Sequence, residues 1–133
     1  MLSALRSPKF WYGMVFAWFV TLFFLSSLPK LPPGPKIPFE DKVMHLIFYS
    51  IGGAWFYLAR RFQLPQITGR AAMWAAVLFC AVIGASDEFH QSFVPNRSGN
   101  DPWDWLADTL GGMVGSLFGW ISWRVIRSAD PRL

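Results

Sequence analysis

Four long apolar stretches separated by short polar ones set the pattern of this chain, at residues 10–28, 43–59, 71–92 and 103–126. The first carries no charged side chain. The second is apolar apart from His45, Tyr49, Ser50 and Tyr57. The third has charge only at its end, at Asp87 and Glu88, and the fourth at Asp104 and Asp108 near its start and Arg124 near its end. A bilayer core takes about 20 mostly apolar residues per spanning helix. The pattern therefore predicts an all-α polytopic membrane protein, with four transmembrane helices in one bundle and a single domain over residues 1–133.

The connections differ in kind. Residues 29–40 contain Pro29, Pro32, Pro33, Pro35 and Pro38, which remove amide donors and predict an extended, stiff loop. Residues 60–70 read as a short basic link, and Pro95, Asn96, Ser98, Gly99 and Asn100 as a turn. Arg6 and Lys9 before the first stretch resemble the start of a secretory signal. Its apolar core is longer and more aromatic than a signal core, and no small-x-small cleavage site follows, so it reads as a retained span.

Composition agrees with lipid as the solvent. The 133 residues are 53 % hydrophobic and 18 % aromatic, and only 15 % are charged, against about 25 % in soluble domains. The net charge of +4 does not indicate nucleic acid, because the basic residues cluster between apolar runs and form no amphipathic face. The single cysteine, Cys80, lies within an apolar run and reads as a small buried hydrophobe. One cysteine allows no internal disulfide.

Basic residues also orient the chain. Arg6, Lys9, Arg60, Arg61, Arg70, Arg124, Arg127 and Arg132 fall on one side of four spans, and Lys30, Lys36, Lys42 and Arg97 on the other, eight against four. The richer side is cytoplasmic by the positive-inside rule, which predicts both termini inside. Asp41, Asp87, Glu88, Asp101, Asp104 and Asp108 then all belong to the extracytoplasmic end, with Lys42, His45, Tyr49, His90, Gln91 and Arg97.

Helical spacing says which of these can meet. Asp41, His45, Tyr49 and Gly52 or Gly53 share a face of the second helix, and Gly84, Glu88 and Gln91 a face of the third. Asp104, Asp108, Gly111, Gly115 and Gly119 share a face of the fourth. The small-xxx-small run of glycines predicts close helix approach and turns the polar faces inward. Each polar residue also has an ordinary reading. Asp101 before Pro102 is a helix N-cap, and Asp104 sits where a capping box places its acid. Lys42 can snorkel to the interface and Tyr49 can simply pack. Asp87 and His90 lie off the Glu88–Gln91 stripe and read as surface or interface groups. Asp108 lies too deep to cap its helix, and His45 has Asp41 one turn away to orient its ring.

The motifs Asp41-Lys42-x-x-His45-x-x-x-Tyr49-x-x-Gly52, Asp87-Glu88-x-x-Gln91-x-x-x-Pro95-x-Arg97 and Asp104-x-x-x-Asp108-x-x-Gly111 together resemble the VanZ-like membrane protein family. They cover about two thirds of the chain. Asn96 stands where glycine often precedes the arginine, and Asp108 where asparagine is common. The resemblance implies a bacterial cytoplasmic-membrane protein and, for the founding member, a link to resistance to the glycopeptide teicoplanin. It does not supply a reaction.

Three readings stay open. In the first, the cluster binds or processes an amphiphile at the outer leaflet, such as a lipid-linked phosphate or a cell-envelope precursor. His45, Glu88, Asp104 and Asp108 are then the candidate acids, bases or cation ligands. Asp41, Lys42, Tyr49, Gln91 and Arg97 are the candidate binding residues. One histidine among carboxylates suits a hard divalent cation, yet the spacing is no known metal signature, so metal and cofactor stay unassigned. In the second, the charges pair with one another and the chain is a structural or partner-binding membrane subunit. The third is transport, against which no charge marks the inner half of any span except Arg124 near the end of the fourth. Membrane lipid is the expected partner and nucleic acid is not; the oligomeric state stays open.

Overall fold

The computed structural model describes residues 2–30 and 37–129. Half of the proline-rich connection, at residues 31–36, lies outside the described residues. Helices make up the described architecture: α1 (Leu2–Leu5), α2 (Pro8–Ser26), α3 (Glu40–Gln63), α4 (Gly69–Gln91) and α5 (Pro102–Ser128). No strand occurs among the described residues. The four long helices match the four apolar stretches to within a few residues.

The differences lie at the ends. Pro8 starts α2 at a position where its missing N–H costs nothing. Arg60 and Arg61 are not in a link but in the last turn of α3, and Glu40 and Asp41 occupy its first turn, so both sets of charges complement the helix dipole. Thr68 caps α4, its hydroxyl oxygen accepting from the Ala71 N–H at 3.1 Å. Asp101 caps α5 as its sequence predicts, accepting from the Trp103 N–H at 2.8 Å. Asn96 and Asn100 take the left-handed conformation that asparagine tolerates, which closes the α4–α5 turn.

Helices α2 and α4 are each long and apolar enough to cross a membrane. Helices α3 and α5 have 24 and 27 residues. Those lengths correspond to about 36 and 40 Å, enough for a bilayer core, but their polar ends lower their hydropathy. Packing explains where that polarity goes. Asp108, Ser116 and Tyr49 are almost wholly buried, whereas Phe16, Phe24, Trp74, Leu78, Phe118 and Val125 are exposed. An apolar exterior around buried carboxylates inverts the soluble-protein arrangement.

The chain runs up and down, so both ends of the bundle draw on all four long helices. At one end Trp11, Tyr57, Phe62, Ala72, Ala76 and Trp123 form an apolar cluster, and Tyr12 donates to Gln63 at 2.5 Å. Helix α3 packs against α2, α4 and α5, its contact with α5 being the most extensive. Glycines permit this: a Cβ at Gly111 would lie 2.7 Å from the Leu46 carbonyl oxygen, and one at Gly115 would collide with the Ser50 carbonyl oxygen. Gly112 turns to the other side, where a Cβ would meet Cys80 Cβ at 2.7 Å. Cys80 is fully buried at that contact, as its apolar setting predicts. The glycine seam draws α5 into the groove between α3 and α4, and so brings the polar start of α5 against the polar end of α4.

Candidate functional site

Three helix ends converge opposite the Trp11–Trp123 cluster, and the sequence supplies each with carboxylates. The deepest contact joins α3 to α5. His45 Nδ1 lies 2.8 Å from Asp108 Oδ1, and the Asp108 side chain has no exposed surface. A carboxylate only accepts, so Nδ1 carries the proton and donates. Nε2 is then left toward Asp41, whose Oδ1 lies 4.0 Å away. Gly84 makes the depth possible, since a Cβ there would meet Asp108 Oδ2 at 2.5 Å.

A second group forms around Lys42. Its ammonium lies 2.9 Å from Asp41, 2.8 Å from Asp101 and 2.8 Å from Asp104. Lys42 therefore does more than snorkel: it ties the starts of α3 and α5 together. Asp104 does not close a capping box. The Asp101 N–H, which a capping box would satisfy, donates instead to Glu88 Oε2 at 2.7 Å. Burial works against the Lys42 ammonium, but hydrogen bonds to Asp101, Asp104 and Asp41 outweigh it and hold its pKa above the ordinary lysine value. The same ammonium and the Trp103 N–H hold the Asp101 carboxyl below its ordinary value.

The third group decides between the surface and interface readings of Asp87 in favour of an interface. Asp87 is only 6 % exposed, because α2 covers that side of α4. The Ser26 hydroxyl donates to Asp87 Oδ1, and Gln91 Nε2 donates to Oδ2 at 2.9 Å. Gln91 Oε1 in turn accepts from Arg97 Nε at 3.1 Å and Nη2 at 2.6 Å. Arg97 thus faces an amide and not a carboxylate. Ser26 is missing from the sequence-derived site; its one signal is a hydroxyl ending an otherwise apolar span. His90 is half-buried beside the cluster, with Nε2 3.1 Å from the Ser27 hydroxyl and its ring stacked on Phe23, an interface role in keeping with its position off the stripe.

Between α2, α3 and α4 lies a cavity of about 100 Å³, whose lining combines polar residues, Ser26, Asp41, His45, Tyr49, Asp87, Gln91 and Arg97, with apolar ones, Leu22, Leu25, Met44 and Phe48. Tyr49 lines it, lying parallel to the His45 ring at 6.3 Å between centroids. The Tyr49 hydroxyl, Glu88 Oε1 and Asp108 Oδ2 are buried without a hydrogen-bond partner among the described residues. Buried polar atoms nearly always have partners, so a layer with three that lack one can accept a ligand group or water.

Asp41, His45 and Asp104 each present an atom within 4.8 Å of the others, a spacing that can hold a metal ion. The Lys42 ammonium contacts both aspartates of that set, so the chain already supplies a cation there.

The convergence of these three motif segments into one polar layer agrees with comparison at the level of families. A sequence model described as VanZ/LLP1 matches residues 7–124. The chain belongs to the VanZ/LLP1 family. No curated protein matches it, and no solved structure does. In this VanZ/LLP1 chain the matched region contains α2, α3 and α4, α5 as far as Arg124, and every residue of the polar layer. VanZ/LLP1 membership and the two strongly apolar helices both point to a membrane protein.

Proposed function

We propose that this VanZ/LLP1 protein is a multi-pass protein of the bacterial cytoplasmic membrane, with four spans and both termini cytoplasmic. We propose further that its extracytoplasmic cavity binds the phosphate head of an amphiphile such as a cell-envelope precursor. The balance of donors and acceptors in the cavity carries this reading. Its carboxylates are already engaged, Asp87 by Ser26 and Gln91 and Asp41 by Lys42. The other polar lining residues are Tyr49, whose hydroxyl has no partner among the described residues, Arg97 beyond its contact with Gln91, and His45. A phosphate oxygen accepts from hydroxyl and guanidinium donors, and Arg is suited to it. Leu22, Leu25, Met44 and Phe48 offer the apolar wall that an attached chain needs.

His45 is the imidazole of the cavity, able to donate or accept a hydrogen bond at a bound head group. Asp108 fixes its tautomer, which is how a carboxylate prepares a histidine for acid–base work. Glu88 and Asp104 act one step back, through the Asp101 N–H and Lys42. A role in the response to glycopeptides belongs to the same reading, because such drugs act on envelope precursors; deletion and complementation scored by teicoplanin susceptibility test it.

A second reading is favoured by Lys42. One ammonium joining Asp41, Asp101 and Asp104 is what a structural charge network provides, and the chain would then be a non-enzymatic subunit. Binding of an isoprenoid-phosphate and phospholipid panel to the purified full chain separates the two. Saturable retention of a phosphate-headed amphiphile, lost in Arg97→Gln, supports the first. Absence of any retained ligand, with all polar variants destabilised, supports the second.

A further inference from the structure

The other end of the bundle carries a cluster that the proposed cavity does not use. Between the end of α3, the start of α4 and the end of α5 lies an open cavity of about 560 Å³, lined by Arg61, Gly69, Trp120, Trp123, Arg124 and Arg127. Among the described residues every carboxylate belongs to the opposite end, so nothing described here neutralises the three guanidinium groups.

Arg61 is the centre of the cluster. It is only 8 % exposed, yet its Nε has no hydrogen-bond partner among the described residues. Its Nη1 donates to the Ile67 carbonyl oxygen at 2.9 Å, which closes the α3–α4 turn, and its guanidinium lies 4.6 Å from the centre of the Trp123 ring. The neighbouring Tyr57 hydroxyl is likewise buried and unpartnered, on a residue with no exposed surface. A Cβ at Gly69 would come within 3.4 Å of that hydroxyl and 3.7 Å of Arg61 Nη1, so both groups lie directly beside a glycine that lines the cavity. Gly69 also opens α4, whose N-terminal dipole faces the same space. At the rim, Arg124 stacks on Trp120 at 5.1 Å. A buried guanidinium with a spare donor, a helix N-terminus and two rim arginines all favour negative charge. Tryptophans beside them suit the level of lipid head groups.

We infer that this cavity is a second, separate anion site that takes a phosphate group, with Arg61 as the inner donor and Arg124 and Arg127 as the outer ones. On the proposed orientation it opens at the cytoplasmic leaflet, where anionic lipids meet basic pockets between helices. The inference stands on the local geometry and does not require the cavity at the other end to bind anything.

The test uses the full chain in detergent, with native mass spectrometry for phosphatidic acid and phosphatidylcholine and calorimetry for inorganic phosphate. The variant is Arg124→Gln/Arg127→Gln, which changes only exposed side chains and leaves the unfolding temperature in place. Arg97→Gln at the other end is the control. Phosphatidic acid should be retained over phosphatidylcholine, with affinity at least tenfold weaker in the double variant and unchanged at this site in the control. That result identifies a lipid head group as the source. Binding of inorganic phosphate that is lost in the double variant supports the site with free phosphate as its source. Equal retention of phosphatidylcholine, affinity unchanged in the double variant, or no binding of either phosphate probe by the wild type would overturn the inference.

Discussion

His45 and Asp108 meet at 2.8 Å across the α3–α5 seam, with the carboxylate shut away from any surface and the imidazole facing the cavity. The pair links the two halves of the account, because Asp108 sits on the stripe whose glycines bring α5 against α3. Its substitutions therefore separate charge from shape. Asp108→Ala leaves the His45 Nδ1–H without an acceptor and should cost about 3 kcal/mol in stability. Asp108→Asn keeps an acceptor for that N–H and should lose about 1 kcal/mol or less. Thermal unfolding in detergent reads both; equal losses would show that charge, and not the hydrogen bond, holds this contact.

Lys42 gives a pH signature. The Asp101 carboxyl is held below its ordinary value, so its contribution is present above the unfolded value of about 3.9 and lost as pH falls through the lower folded one. The Lys42 pKa is raised, so its contribution is present below about 10.4 and lost only as pH rises through the higher folded value. Lys42→Met should therefore destabilise by about 2 kcal/mol across neutral pH, reduced by the partial exposure of the ammonium. The gap between wild type and variant should shrink below about pH 4. Unfolding temperatures at pH 3, 7 and 9 check this; a gap as wide at pH 3 as at pH 7 would contradict the ion-pair account.

The glycine seam predicts a steric asymmetry. Gly115→Leu should lower folded yield sharply, since even a Cβ there collides with the Ser50 carbonyl oxygen. Phe118→Leu, on a residue that is 60 % exposed, should fold as the wild type does. Size-exclusion profiles of the two in detergent decide it, and similar monodisperse yields would remove the seam.

Topology has its own test in a Cys80→Ala background. An impermeant thiol reagent applied from outside should label Gly34→Cys and Asn100→Cys and miss Gln66→Cys. Labelling at position 66 would reverse the orientation and move the polar cavity to the cytoplasmic end.

Much of this was legible in the sequence because membrane helices leave long, plain signals. Stretches near 20 apolar residues locate the helices, and stripes three and four apart put His45 and Asp108 on inward faces, where the two meet. What escaped depends on contacts between helices. Asp87 looks exposed from its place on α4 alone; only the arrival of Ser26 on α2 buries it. Arg97 looks like a partner for a carboxylate until the turn after α4 folds it back onto Gln91. Arg60 and Arg61 look like a link because charge normally ends a span, yet α3 continues through them and draws Arg61 into the basic cavity.

Tyr49→Phe tests the central claim most directly, because it removes one hydroxyl that has no partner among the described residues and changes nothing else. If the cavity holds the phosphate head of an amphiphile, the variant should unfold at or slightly above the wild-type temperature, since an unsatisfied buried group is removed. Its affinity for an isoprenoid phosphate should meanwhile fall about tenfold, equivalent to about 1.4 kcal/mol. Unchanged affinity in a folded Tyr49→Phe protein would contradict the account, as would a wild-type chain that retains no phosphate-headed amphiphile at all.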